Sequence, residues 1–146
     1  MRLWHKDLIP YLPNLQLKGQ WRECCLISKN ITKDGTPNHI LVDKIMDYPL
    51  TDFYNYCALI WTEMTKRGWK PNWNRLNYPI NSAIATEPFN VEAYYKPLTN
   101  IFCKWHNDIY LRECLYNLEE KFLCGGIEYW EWSIIYDKYK DFTSLE

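Results

Sequence analysis

The sequence lacks a long hydrophobic run, and no stretch of about 18 apolar residues occurs anywhere in it. A membrane-spanning helix is therefore not predicted. The first residues also lack the pattern of a secretory signal, because Lys6, Asp7 and Pro10 interrupt any apolar stretch there. We therefore expect a cytoplasmic protein without a membrane partner.

Several familiar catalytic motifs are absent as well. With only five glycines, the chain has no Gly-rich phosphate loop, and it has no serine nucleophile elbow. It contains six cysteines but no Cys-x-x-Cys pair, and in a cytoplasmic protein these are expected to be reduced, buried thiols. These absences disfavour nucleotide hydrolases, serine hydrolases and dithiol oxidoreductases.

Metal and thiol chemistry have weak support. Cys103 and His106 have Cys-x-x-His spacing, but a zinc site needs three or four ligands and no further ligand is suitably spaced. We therefore expect no metal and no cofactor. Catalysis by Cys24 or Cys25 would need a histidine nearby in the fold, which spacing alone does not reveal.

The charge is unevenly distributed along the 146 residues, a length that fits a single domain spanning residues 1–146. Residues 1–33 hold six Lys or Arg against two acidic residues, or +4, whereas the remainder holds 11 against 16, or −5. The 8 Trp and 12 Tyr are unusually many for this length. A basic end and surplus rings indicate a polyanion bound at one face.

Hydrophobic periodicity predicts three main helices. The first begins at a capping Asn14 and ends near Ile27, and the second is capped by Thr51 and stopped by Gly68. In the second, apolar residues recur at helical spacing and predict a core helix: Phe53, Tyr56, Cys57, Ile60 and Met64. The third covers about 105–123 and ends before two glycines. Residues 28–49 and 69–103 are predicted to be irregular connections, so the fold class is a compact all-α domain.

The polar face of the first helix could carry chemistry together with the start of the chain. Gln16, Gln20 and Glu23 share this face by their spacing. An α-amine is uncharged and nucleophilic more often at neutral pH than a lysine amine is, so the Met1 amine could attack a sugar C1′ and form a Schiff base. Glu23 is the carboxylate that could move protons for it.

Three segments resemble the pyrimidine-dimer DNA glycosylase family. They are MRLWHKDLIPYLPNLQLKGQWRE at residues 1–23, EMTKRGW at 63–69 and HNDIYLRECLYNLEEKFLCGGI at 106–127, whereas 28–49 and 69–103 match poorly. The resemblance implies an all-α, metal-free, cofactor-free glycosylase with a coupled abasic-site lyase activity. Its partner would be double-stranded DNA containing a damaged base or an abasic site, bound by a monomer. In a bacterial or viral source it would be associated with the nucleoid.

The resemblance also implies residue roles. Met1 would supply the nucleophilic amine and Glu23 would shuttle protons, while Arg2 and Arg22 would hold phosphates. Gln16 stands where a phage relative carries a histidine, and Gln20 and Lys33 complete the expected DNA-binding set. Trp4, Trp21 or rings of the C-terminal aromatic segment could wedge between or stack on bases, although core packing is the expected role of any single ring.

Two other functions remain open from the sequence. One keeps the glycosylase and lyase chemistry but acts on another modified or oxidised pyrimidine. The other is a non-catalytic DNA-binding or partner-binding module on the same scaffold, which the presence of Glu23 beside Arg22 disfavours.

Overall fold

The computed structural model describes residues 1–76 and 101–143. These residues form four α-helices and no strand, so the predicted all-α class is confirmed for them. The α-helices are α1 (Asn14–Asp34), α2 (Leu50–Lys66), α3 (Asp108–Leu123) and α4 (Tyr129–Thr143). Short 3-10 helices cover Lys6–Tyr11, Asp43–Asp47 and Trp73–Arg75. Most of the predicted 69–103 connection lies outside the described residues.

Helix α1 is longer than predicted, and its cap differs. The helix does not end near Ile27 but continues to Asp34, because the next residue able to stop it is Gly35, whose φ is 76°. Ser28 is buried and Ile31 packs against the core, so the inward face extends through the polar sequence. Pro13 occupies the cap position, and Asn14 is the first helical residue instead of the cap.

Helix α2 forms the centre of the core and packs against α1. The five residues predicted to line its inner face are all buried, which confirms the core assignment. The cap is Pro49 and not Thr51. Gly68 follows the helix with φ 89°, and the Trp69 amide donates to the Met64 carbonyl at 3.0 Å, as in a glycine-terminated helix.

Helices α3 and α4 pack against each other. The third predicted helix is confirmed, although it begins at Asp108 because the Asn107 side chain caps it by accepting from the Tyr110 amide at 2.9 Å. Helix α4 adds a fourth helix to the predicted three. Four of its side chains face the core at helical spacing: Trp132, Ile135, Tyr139 and Phe142.

Arg67, at the end of α2, holds the entry to α1. Its guanidinium donates to the Leu12 carbonyl at 2.7 Å and to Asn14 Oδ1 at 3.0 Å, and it pairs with Glu63 at 3.0 Å. Charged hydrogen bonds of this kind fix orientation as well as adding stability. The N-terminal segment is therefore placed against α1 and α2.

Within the described ranges, no helix is both long and apolar enough to cross a membrane.

Candidate active site

Gln20 connects the first residues of the chain to α1. Its side chain is 1% exposed, and its Nε2 donates to the Arg2 carbonyl at 2.9 Å. Its Oε1 accepts from the Trp4 amide at 2.7 Å. A single buried amide thus satisfies a donor and an acceptor of an extended segment that has no strand or helix partner. Gln20 lies inside the protein, where it can position the segment.

The Glu23 carboxylate lies directly beside this segment. Its Oε2 accepts from Gln20 Nε2 at 3.2 Å and from the Arg2 amide at 3.5 Å. Neighbouring backbone nitrogens are roughly 3–4 Å apart, so the Met1 amine lies within about 7 Å of Glu23 Oε2. Met1 and Glu23, both half-buried, are therefore brought together across 22 positions of sequence.

Two tyrosines hold the same segment from other helices. The Tyr56 hydroxyl donates to the Trp4 carbonyl at 2.6 Å, and the Tyr110 hydroxyl donates to the Leu3 carbonyl at 2.5 Å. Burial raises the pKa of Tyr56 and that of Tyr110 well above the ordinary value, so both hydroxyls remain donors. From the sequence, Tyr56 was predicted only as a core residue of α2 and Tyr110 was not singled out, because their helices meet the N-terminal segment only in the folded chain.

Two buried histidines, His5 and His106, also support the N-terminal segment. The rings of His5 and His106 stack with centroids 5.1 Å apart, and His106 Nδ1 accepts from the Lys6 amide at 3.0 Å. Burial, with the adjacent His5 and Lys6, lowers the pKa of His106 to about 2, and burial is also the main cause that lowers the pKa of His5. Both rings are therefore neutral at ordinary pH. The N-terminal segment packs against these neutral rings, so the stability that they contribute depends on pH.

Stability is expected to fall below about pH 6.5, the ordinary pKa of histidine. In the unfolded chain these histidines take up protons that the folded rings exclude, so well below pH 6.5 each lost pH unit costs about 1.4 kcal/mol for His106, and His5 adds a loss of the same sign. Above that pH the histidine contribution is fully present. Urea unfolding between pH 8 and 5 measures this, and His106→Asn, whose side-chain oxygen can accept from Lys6, should make the slope clearly smaller because it removes the His106 part. An unchanged slope in the variant would contradict the assignment.

The other expected DNA-binding residues on the N-terminal half of the site are half-buried. Arg2 is half-buried, with its guanidinium 5.5 Å from the Trp4 ring centroid. Gln16 is also half-buried, and its buried Oε1 has no hydrogen-bond partner among the described residues. Trp4 and Trp21 are core residues and so do not present rings to a ligand. Only the second of the two roles considered for these tryptophans agrees with the structure.

Arg22 and Lys33 are exposed on α1, eleven residues apart in sequence, or roughly 16 Å along the helix. Lys29 lies between them at helical spacing and is also exposed. Arg22 and Lys29 line a cavity of about 660 Å³, and Arg75 is another of its lining residues. Sequence reasoning missed Lys29, although its i+7 spacing from Arg22 was visible, and Arg75, which only tertiary structure brings near.

Thiol and metal chemistry find little support in this geometry. Burial raises the pKa of Cys25 to about 11, so its sulfur remains a protonated and weakly nucleophilic thiol, while Cys24 is fully buried. Cys103 is exposed, whereas His106 is buried with Nδ1 already engaged by Lys6. In the described part of the chain, no three candidate ligands lie together as a metal site would require.

Comparison with known proteins identifies the family. A family model described as pyrimidine dimer DNA glycosylase matches residues 1–77, which is more than half of the chain. The chain belongs to the pyrimidine dimer DNA glycosylase family. Neither the curated proteins nor the solved structures give a match.

The match to the glycosylase family includes the central part of the site. Residues 1–77 contain Met1, Arg2, Gln20 and Glu23, together with α1 and α2. Tyr110 and His106, which support the same segment, lie beyond the match. In this glycosylase the family-matched half supplies the candidate reacting groups, and the second half supplies part of the scaffold behind them.

Proposed function

We propose that this glycosylase removes the damaged base of a UV-induced pyrimidine dimer and then cuts the strand as an abasic-site lyase, with the Met1 amine as nucleophile and Glu23 as proton carrier. The observation that carries the proposal is the contact of the Arg2 amide with Glu23 Oε2 at 3.5 Å, which keeps the adjacent Met1 amine close to a half-buried carboxylate. In this proposal Met1 is retained as the first residue. Residues 1–146 act as a single domain.

The chemistry follows from these two groups. The uncharged amine attacks C1′, the glycosidic bond breaks, and the base leaves with the bonding electron pair. The attached nitrogen gives one proton to the Glu23 carboxylate, and its lone pair then opens the sugar ring to a protonated imine at C1′ while O4′ takes up that proton from Glu23. The imine acidifies the C2′ hydrogen, so Glu23 can remove it while the C3′–O bond breaks. Water then hydrolyses the imine and releases the amine.

DNA binding would use the cations near the carboxylate. Arg2 lies next to the proposed nucleophile, and Arg22, Lys29 and Lys33 form a row of exposed positive charge along α1. In the described ranges none of these three α1 side chains forms an ion pair. Unpaired surface cations in a row suit the phosphates of one DNA strand, which bind mainly through charge.

Borohydride trapping tests the nucleophile. The protein is incubated with abasic-site duplex DNA and borohydride, and the cross-linked peptide is mapped by mass spectrometry. We expect the adduct on the Met1 amine and its loss after selective acetylation of the N-terminus. An adduct on Lys6, or none at all, would contradict this mechanism. Cleavage of dimer-containing and oxidised-pyrimidine duplexes, compared side by side, tests the lesion.

A further inference from the structure

An exposed apolar turn lies beside the candidate active site. Ile40 is 84% exposed, the highest value among the large hydrophobic residues of the described ranges, and Leu41 next to it is 50% exposed. We refer to residues 39–42 as the 39–42 turn. Single exposed apolar residues are common on protein surfaces. The 39–42 turn is rigid and lies near Arg2, so we interpret the exposure of Ile40 and Leu41 as functional.

The 39–42 turn is held firmly from within. The His39 carbonyl accepts from the Val42 amide at 3.0 Å and from the Asp43 amide at 2.9 Å. In return, Asp43 Oδ1 accepts from the His39 amide at 3.1 Å. Val42 is fully buried, which anchors the turn in the core. Ile40 is therefore presented on a rigid support, so that pushing it against another molecule does not simply displace it.

The turn borders the same region as Arg2. Ile40, Leu41 and Arg2 line one cavity of about 150 Å³. The remaining lining residues are Lys44, Trp105, Tyr110 and Glu113. Lys44 adds a second cation to Arg2, against the single carboxylate of Glu113. The Arg2 amide is 3.5 Å from Glu23 Oε2, so a residue that lines the cavity at the turn also contacts the proposed proton carrier.

We propose that Ile40 is a wedge that enters the base stack of duplex DNA beside the lesion, an inference that rests on the proposed glycosylase function. A glycosylase must take its target, or the partner of the target, out of the stack before chemistry. Proteins that distort DNA do this with apolar side chains, flanked by cations that hold the phosphates. Ile40 supplies the apolar side chain, while Arg2 and Lys44 supply the cations.

Ile40→Ala tests the wedge on two substrates. One is an intact duplex with a dimer, and the other is a duplex whose lesion lies opposite a gap, where the stack is already broken. We expect the intact-duplex kcat/KM to fall about tenfold or more and the gapped-duplex value to stay within about twofold, because only the first reaction needs unstacking. Ile40→Phe keeps a large apolar side chain at this position, so it should retain most of the intact-duplex activity.

A fluorescent base gives a direct readout of unstacking. With 2-aminopurine beside an uncleavable abasic-site analogue, the unaltered protein should raise the fluorescence on binding and Ile40→Ala should raise it much less. Leu123→Ala removes a similarly exposed apolar residue at the end of α3 and serves as the matched control, with no expected change in either assay. The exposure of Ile40 means that its substitution leaves the core intact.

The outcomes separate the two proposals. If the unaltered protein cleaves the dimer duplex but Ile40→Ala matches it on both substrates and in fluorescence, the wedge is wrong and the glycosylase function stands. Equal losses on both duplexes would also overturn the wedge, because they indicate general binding by the turn. If the unaltered protein neither cleaves nor cross-links to DNA, the proposed function itself fails, and a changed oligomeric state in Ile40→Ala would then indicate a protein-binding turn.

Discussion

Replacing Glu23 with glutamine is expected to reduce strand cleavage of dimer-containing DNA by roughly 10²–10⁴-fold, the usual contribution of a positioned general acid–base group. The substituted amide keeps the size of the carboxylate, and its oxygen can still accept from Gln20 Nε2 and the Arg2 amide. The fold and DNA affinity should therefore persist. What is lost is the proton carrier and the negative charge that stabilises the cationic imine. Nicking of irradiated plasmid measures the effect.

A matched variant isolates the chemistry. Glu120→Gln removes the same charge from an exposed position on α3, so it should leave nicking within about twofold, as for ordinary surface substitutions. Equilibrium binding to a duplex with an uncleavable abasic analogue should be similar in both variants and the unaltered protein. Cleavage by Glu23→Gln at the rate of Glu120→Gln would remove Glu23 from the mechanism.

Gln20→Leu is expected to separate the N-terminal segment from α1 and lower both stability and activity. The leucine is close to glutamine in size but leaves the Trp4 amide and the Arg2 carbonyl without their buried partner. The free energy of unfolding should fall by about 2–4 kcal/mol, because two buried backbone groups lose hydrogen bonds. Cleavage by the folded fraction should fall by about tenfold or more, since misplacing a reacting group is costly. Urea unfolding and single-turnover nicking measure the two effects.

Tyr56→Phe helps to separate positioning from stability. It removes the hydroxyl, which donates to the Trp4 carbonyl at 2.6 Å and lies 3.0 Å from Gln20 Oε1, but Gln20 keeps the groups that bond the Trp4 amide and the Arg2 carbonyl. We expect a loss of about 1–3 kcal/mol in stability with a smaller loss of single-turnover rate than in Gln20→Leu. If the two variants lost activity in proportion to stability alone, Gln20 would have no positioning role.

The helices show how far the sequence can be interpreted. In α2, strict apolar spacing and a following glycine agreed, so both the helix and its buried face were predicted. In α1 the polar residues after Ile27 suggested an end, although no helix-breaking residue occurs before Gly35. In α4 the inward positions, such as Ile135 and Tyr139, were hidden among exposed rings that include Tyr129 and Trp130. Periodicity identified α2 as a helix, but it did not show that residues 52–60 are buried on every side.

The amino-acid sequence by itself determined the all-α class, the polar face of α1 and the set of candidate groups, because helical spacing places Gln16, Gln20 and Glu23 on one side of one element. Only the tertiary structure decided what each of these does. Gln20 becomes a buried connection to Arg2 and Trp4, and Glu23 meets the start of the chain, because the N-terminal segment has no regular partner and must bond to side chains. Contacts between elements far apart in sequence, such as Tyr110 with Leu3, depend on packing that no local pattern encodes.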